Sequence, residues 1–107
     1  MHELHSIASL VLAGLRGLGV MKLDEHWDDH AFGSGLIVLG RAQPEVRLAW
    51  DGRDAWAYLQ ARGASGEWSD IFGPIAEGDF HLGEPSAEKI RSMVEAGLRA
   101  LGRRETP

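Results

Sequence analysis

Two stretches of the chain repeat their apolar positions at helical spacing, and the residues between them alternate instead. Near the start, Leu4, Ile7, Ala8, Val11, Leu15 and Leu18 fall on one face, with Glu3 at the beginning and Gly17 and Gly19 at the end. The spacing predicts a core-facing helix over about 3–17. Near the far end, Ile90, Met93, Val94, Leu98 and Leu101 form a stripe opposite Glu88, Arg91 and Glu95, which predicts a second helix over about 85–102. Pro85 and Ser86 suit its first turn, and Arg99, Arg103 and Arg104 suit the negative end of its dipole.

Between the helices the β-formers concentrate in GLIVLGR, EVRLAWDG, DAWAYLQAR and EWSDIFGPI, which predict strands over about 36–41, 45–51, 54–62 and 67–75. Asp51-Gly52 is a hairpin signal, and Gly63 and Gly66 mark the following turn. The segment of about 22–35 carries two histidines and four carboxylates with no clear apolar period, and reads as an acidic loop with Trp27 and Phe32 turned inward. The expectation is one α+β domain over residues 1–107. It is a two-layer domain with an N-terminal helix, a three- or four-stranded antiparallel meander and a C-terminal helix.

The hairpin fixes which side chains share a face. With a two-residue turn at Asp51-Gly52 or Gly52-Arg53, Val46, Leu48 and Trp50 lie with Ala55, Ala57 and Leu59, while Trp56 and Tyr58 lie with Glu45, Arg47 and Ala49. One register of the next strand adds Trp68 and Phe72 beside Trp56 and Tyr58. Two arrangements then remain open. Large aromatics are usually buried, which favours the aromatic face as the core beneath the helices. If the helices cover the aliphatic face instead, the aromatics form an exposed patch on the order of several hundred Å².

Charge and composition narrow the partners. The chain carries a net charge of -5 with a pI near 5.4. Asp24, Glu25, Asp28 and Asp29 form one acidic cluster, and Glu67, Asp70, Glu77, Asp79, Glu84 and Glu88 form a run with no Lys or Arg before Lys89. Phosphate binding needs the opposite sign, so nucleic acid is set aside as a partner. An acidic face keeps a small protein soluble and also steers basic partners toward it. The absence of cysteine removes disulfides, thiolate metal ligands and a cysteine nucleophile, and is compatible with a reducing cytoplasm. The longest apolar run, Ile7 to Leu15, is interrupted by Ser9 and Gly14 and is far shorter than the roughly 20 residues of a membrane span, and no secretion signal is read at the start. The expected setting is the cytoplasm.

His26 and His30 would share one face of a helix, and His26, Asp28 and His30 one face of a strand, so either geometry could present metal ligands. A third ligand would have to come from His81, His5 or Glu25, and His-Glu-x-x-His is absent. A solvated acidic loop is the favoured reading, with no metal and no cofactor. No catalytic pattern stands either: Gly33-Ser34-Gly35 is not a nucleophile elbow, and Gly14-Leu15-Arg16-Gly17-Leu18-Gly19 is neither a dinucleotide fingerprint nor a Walker loop. The expectation is a protein that is not an enzyme.

The segment VRLAWDGRDAWAYLQ, followed by EWSDIFGPI and the closing amphipathic helix, resembles the small immunity proteins of bacterial polymorphic toxin systems over residues of about 36–101. That resemblance implies a non-enzymatic inhibitor that binds a cognate toxin domain and masks its active or substrate-binding surface. From the strand reading, Arg47, Trp56 and Tyr58 are the expected anchors, Trp68 and Asp70 their neighbours, and Asp24, Glu25, Asp28 and Asp29 a steering rim for a basic toxin domain. Two competing readings use the same residues differently. A homodimeric secretion chaperone or adaptor would self-associate through an apolar face, and a small His- or metal-dependent enzyme would centre on His26 and His30.

Overall fold

The first apolar stripe is realised as α1 (Glu3–Leu15), which tightens into a 3-10 turn over Arg16–Leu18. Gly19 ends that turn at φ 79°, a left-handed conformation that glycine adopts without a Cβ penalty, and its N–H donates to the Arg16 carbonyl at 3.0 Å. The structure, a computed structural model, describes residues 3–28, 30, 33–54, 56–76 and 84–105. Asp29, Phe32, Ala55, Glu77, Asp79 and His81 lie outside the described residues. The second stripe becomes α2 (Glu84–Glu105), with Pro85 in its first turn.

Between the helices stand five strands, not the three or four expected: β1 (Met21–Asp28), β2 (Ser34–Gly40), β3 (Pro44–Asp51), β4 (Trp56–Arg62) and β5 (Trp68–Ala76). They form one antiparallel sheet in the order β1-β2-β3-β4-β5, each strand paired with its neighbour in sequence. The extra strand comes from the acidic stretch taken for a loop over about 22–35. As an edge strand exposed along most of its length, β1 needs no alternation of apolar residues and so shows none. A bulge between Lys22 and Asp24 further breaks its period.

Both helices lie on the aliphatic face, so of the two arrangements the sequence left open, the one with the aromatic face uncovered is realised. Ile37, Leu39, Val46, Leu48, Trp50, Ala57, Leu59 and Ile75 from the sheet meet Ile7, Val11, Leu15, Met93 and Leu101 from the helices. Each large apolar side chain gains about 1.5–3 kcal/mol by full burial, whereas the opposite face would have taken Arg47 and Asp70 out of water. Charge therefore outweighs aromatic area in choosing the buried side. Helix α2 also departs from its predicted stripe. Ala96 and Gly97 are buried beside Met93, and Leu98 is turned to the flank with 39% of its surface exposed. A Cβ on Gly14 would collide with Val94, so this glycine lets the two helices approach closely.

The β3–β4 hairpin pairs Leu48 with Leu59, Trp50 with Ala57 and Asp51 with Trp56. The last pair before the connection, Asp51 with Trp56, is further apart in sequence than the expected two-residue turn allows. The change in register is an even number of residues, so the described side chains paired between β3 and β4 keep their predicted faces. On β5 the register shifts twice: Gln60 pairs with Asp70 but Leu59 with Phe72, and Ala57 with Ile75. Trp68 and Asp70 accordingly stay on the uncovered face, while Phe72 goes to the core side instead of joining them. Gly73 occupies the irregular stretch at φ 129°, where a Cβ would press on the Ala57 carbonyl oxygen.

Candidate protein-binding face

Alternation on five strands gives the uncovered face its membership. One row runs Asp24, Val38, Arg47, Gln60 and Asp70 across the whole sheet, and the next runs His26, Leu36, Ala49 and Tyr58. Asp28 pairs with Ser34 and Asp51 with Trp56 further along, while Arg62 pairs with Trp68 at the other end of β4. The two exposed-face tryptophans therefore do not form one patch. Trp56 and Arg62 are the two ends of a seven-residue strand, roughly 20 Å apart at about 3.4 Å per residue.

Trp68 belongs to a linked polar group. Arg47 Nε donates to Gln60 Oε1 at 2.6 Å, and Gln60 Nε2 donates to Asp70 Oδ1 at 2.7 Å. The Arg47 guanidinium also stands 4.3 Å from the centre of the Trp68 ring, within cation–π range. Burial lowers the Arg47 pKa and the nearby Asp70 carboxylate offsets part of that effect, leaving arginine cationic. Gln60 is thus the hub of the group. The sequence reading did not single it out, although its position two residues from Tyr58 on the same strand was the signal.

Trp56 stands at the opposite end, 39% exposed, beside a loop rich in acid. Asp51 Oδ1 accepts the N–H groups of Arg53 at 3.0 Å and Asp54 at 3.3 Å, and Ser34 Oγ accepts the Gly52 N–H at 2.9 Å. These bonds fix the loop with side chains instead of a tight turn. Partial burial raises the Tyr58 pKa above its ordinary value, with the negative charges of Asp51, Asp70 and Asp54 adding to the rise. Tyr58 is the one tyrosine of the chain, so phenolate absorbance reports it alone. Its titration midpoint is expected above about 10 and should fall toward that value in Asp70→Asn. The folded protein holds the phenol proton more tightly than the unfolded chain. The Tyr58 contribution to stability should therefore decline as pH rises from about 10 through the raised midpoint, with no slope from this group below that window. A midpoint at the free value would contradict the carboxylate field.

Of the expected rim, Asp24 and Asp28 lie on the uncovered face, and Asp29 is outside the described residues. Glu25 faces the other side of β1. Its Oε2 accepts the Trp27 indole N–H at 3.1 Å and its Oε1 accepts Lys22 Nζ at 3.3 Å. Trp27 in turn lies across Gly35, where a Cβ would collide with the indole ring, so Glu25 orients a packing residue instead of joining the rim.

His26 stands on the uncovered face, and His30 follows the strand with its N–H donated to Asp28 Oδ1 at 2.9 Å. Among the described residues, no three His, Asp or Glu side chains are grouped to hold a metal ion. Glu45, at the base of the β2–β3 turn, is 4% exposed and accepts the Arg41 backbone N–H and Arg41 Nε through Oε1, both at 2.9 Å. Arg41 Nη2 bonds its other oxygen. Among the described residues, no helix is long and apolar enough to cross a membrane.

Comparison with protein families, curated proteins and solved structures matches this chain to none of them.

Proposed function

We propose that this protein is a non-enzymatic binding module that takes a basic protein surface on its uncovered sheet face, acting as an immunity protein that masks a cognate toxin domain. The observation that carries the reading is the placement of both helices on the aliphatic side. Arg47, Trp56, Tyr58, Trp68 and Asp70 are thereby left on a face that no element of the described fold covers. Aromatic and arginine side chains are the residue types that carry binding energy at protein interfaces. The surrounding Asp24, Asp28, Asp51 and Asp54 favour a partner of positive charge and speed its approach.

The test compares capture of partners from source-cell lysate by the native chain, by Trp56→Ala and by Leu10→Ala. Leu10 is 55% exposed on α1 and serves as the helix-side control. Trp56→Ala is expected to weaken the complex by about 2 kcal/mol or more, roughly 30-fold in Kd, with the circular dichroism spectrum unchanged. A partner that ignores Trp56→Ala and is lost with Leu10→Ala would put the interface on the helices. A dimer of this chain dispersed by Trp56→Ala would replace the toxin partner with a second copy.

A further inference from the structure

The uncovered face is not flat. His26 and Asp28 on β1 stand on one side and Tyr58 and Gln60 on β4 stand on the other, with Ser34, Gly35, Leu36 and Ala49 between them. The flanking strands are roughly 14 Å apart at a strand spacing of about 4.8 Å. Between them the middle strands contribute Ser34, Gly35, Leu36, Ala49 and Trp50, with Asp51 at one end, so a trough of about 360 Å³ remains. That volume is at the lower end of small-molecule sites, enough for one long side chain and its nearest atoms.

Its chemistry selects the side chain. Asp28 and Asp51 line the trough together with His26, whereas among the described residues no lysine or arginine does. Each carboxylate is already held through Oδ1, Asp28 by the His30 N–H and Asp51 by the Arg53 and Asp54 N–H groups. Tyr58 stands in the cross-strand row of His26, Leu36 and Ala49, next to the row that holds Asp28 with Ser34 and Asp51 with Trp56, and Arg47 alongside is engaged with Gln60 and Trp68. Carboxylates with a free oxygen beside an aromatic ring match a planar cation, which can donate in two directions while stacking its face. A lysine ammonium is a compact, strongly hydrated charge and gains less from the ring.

We infer that the trough seats an arginine side chain of the partner, its guanidinium between Asp28 and Asp51 and its plane against Tyr58. This rests on the reading of the uncovered face as a protein-binding surface. It names the chemical group that the face recognises.

The test titrates the native chain with N-acetyl-arginine amide at pH 8 and low salt, following backbone amide resonances, with N-acetyl-lysine amide and the neutral isostere N-acetyl-citrulline amide alongside. The arginine probe should give saturable shifts at Asp28, Ala49, Asp51 and Tyr58, and citrulline should bind at least about tenfold more weakly because it lacks the charge. Asp28→Asn, which keeps shape and an acceptor for the His30 N–H, should weaken the arginine response by a similar factor. Ala49→Leu, which fills the floor, should abolish it while distant resonances stay in place. Equal binding of citrulline, equal binding of lysine, or shifts spread over the acidic surface without saturation would each overturn the inference. The titration needs no protein partner, so it can fail while Trp56 still governs capture, and it can succeed while Trp56→Ala leaves capture unchanged.

Discussion

Leu59→Ala is expected to lower the free energy of unfolding by about 3–4 kcal/mol, the largest effect of any single truncation considered. Leu59 is fully buried, pairs with Leu48 on β3 and Phe72 on β5, and reaches toward α2 at Gly97, where Leu15 of α1 also points. Truncation opens a cavity where both helices meet the sheet, and small Gly97 offers nothing to fill it. A loss of this size takes a large share of the roughly 5–15 kcal/mol that holds a domain of this kind together. Leu98→Ala, at a residue exposed on the flank of α2, should cost only about 0.5 kcal/mol. Urea unfolding of the two variants checks the pair. Equal losses would mean that α2 presents a different face to the sheet.

Arg41→Ala is expected to cost about 3 kcal/mol, the low end for breaking a buried ion pair, because Arg41 keeps 26% of its side chain in water. The variant withdraws the two guanidinium donors that reach Glu45, whose side chain is only 6% exposed, and leaves the backbone donor in place. Glu45→Gln should cost less, since its amide oxygen can still accept the Arg41 N–H and Nε–H bonds now made to Oε1, losing only the Nη2 bond, while the buried charge that makes the loss expensive is removed. Thermal unfolding of both variants at pH 7 distinguishes the cases. If Glu45→Gln were the more damaging change, the carboxylate charge would be satisfied by groups other than Arg41.

Much of this architecture is legible in the residue pattern. Ile7, Val11 and Leu15 announce α1 because a helix half-buried on a sheet must repeat its apolar residues, and Met93 and Leu101 do the same for α2. The faces of β3 and β4 are legible despite the wrong turn length, since loops differing by two or four residues preserve the alternation of Leu48, Trp50, Ala57 and Leu59. Strand β1 was hidden because Lys22, Asp24, His26 and Asp28 sit at an edge where solvent imposes no pattern. Phe72 was misplaced because a bulge reverses alternation without a distinctive residue to mark it. The buried face itself depends on a sum over five strands. Trp56 and Tyr58 argued for burial individually, whereas Arg47, Gln60 and Asp70 decided the matter together. Arg47, Trp56, Tyr58, Trp68 and Asp70 were grouped on one face from two strand registers, whereas Asp24, Glu25 and Asp28 were added to it through proximity in sequence alone, and β1 turns Glu25 to the other side.

The alternation on β3 and β4 has a consequence for how such a chain can change over time. Val46, Leu48, Trp50, Ala57 and Leu59 belong to the core shared with the helices, while Arg47, Ala49, Tyr58 and Gln60 between them alternate to the opposite face. An outward substitution leaves the inward neighbour in its place, so the two sets can vary under separate selection even though they occupy the same two strands. Descendants of one ancestral chain could then diverge in recognition without first acquiring compensating changes in the core.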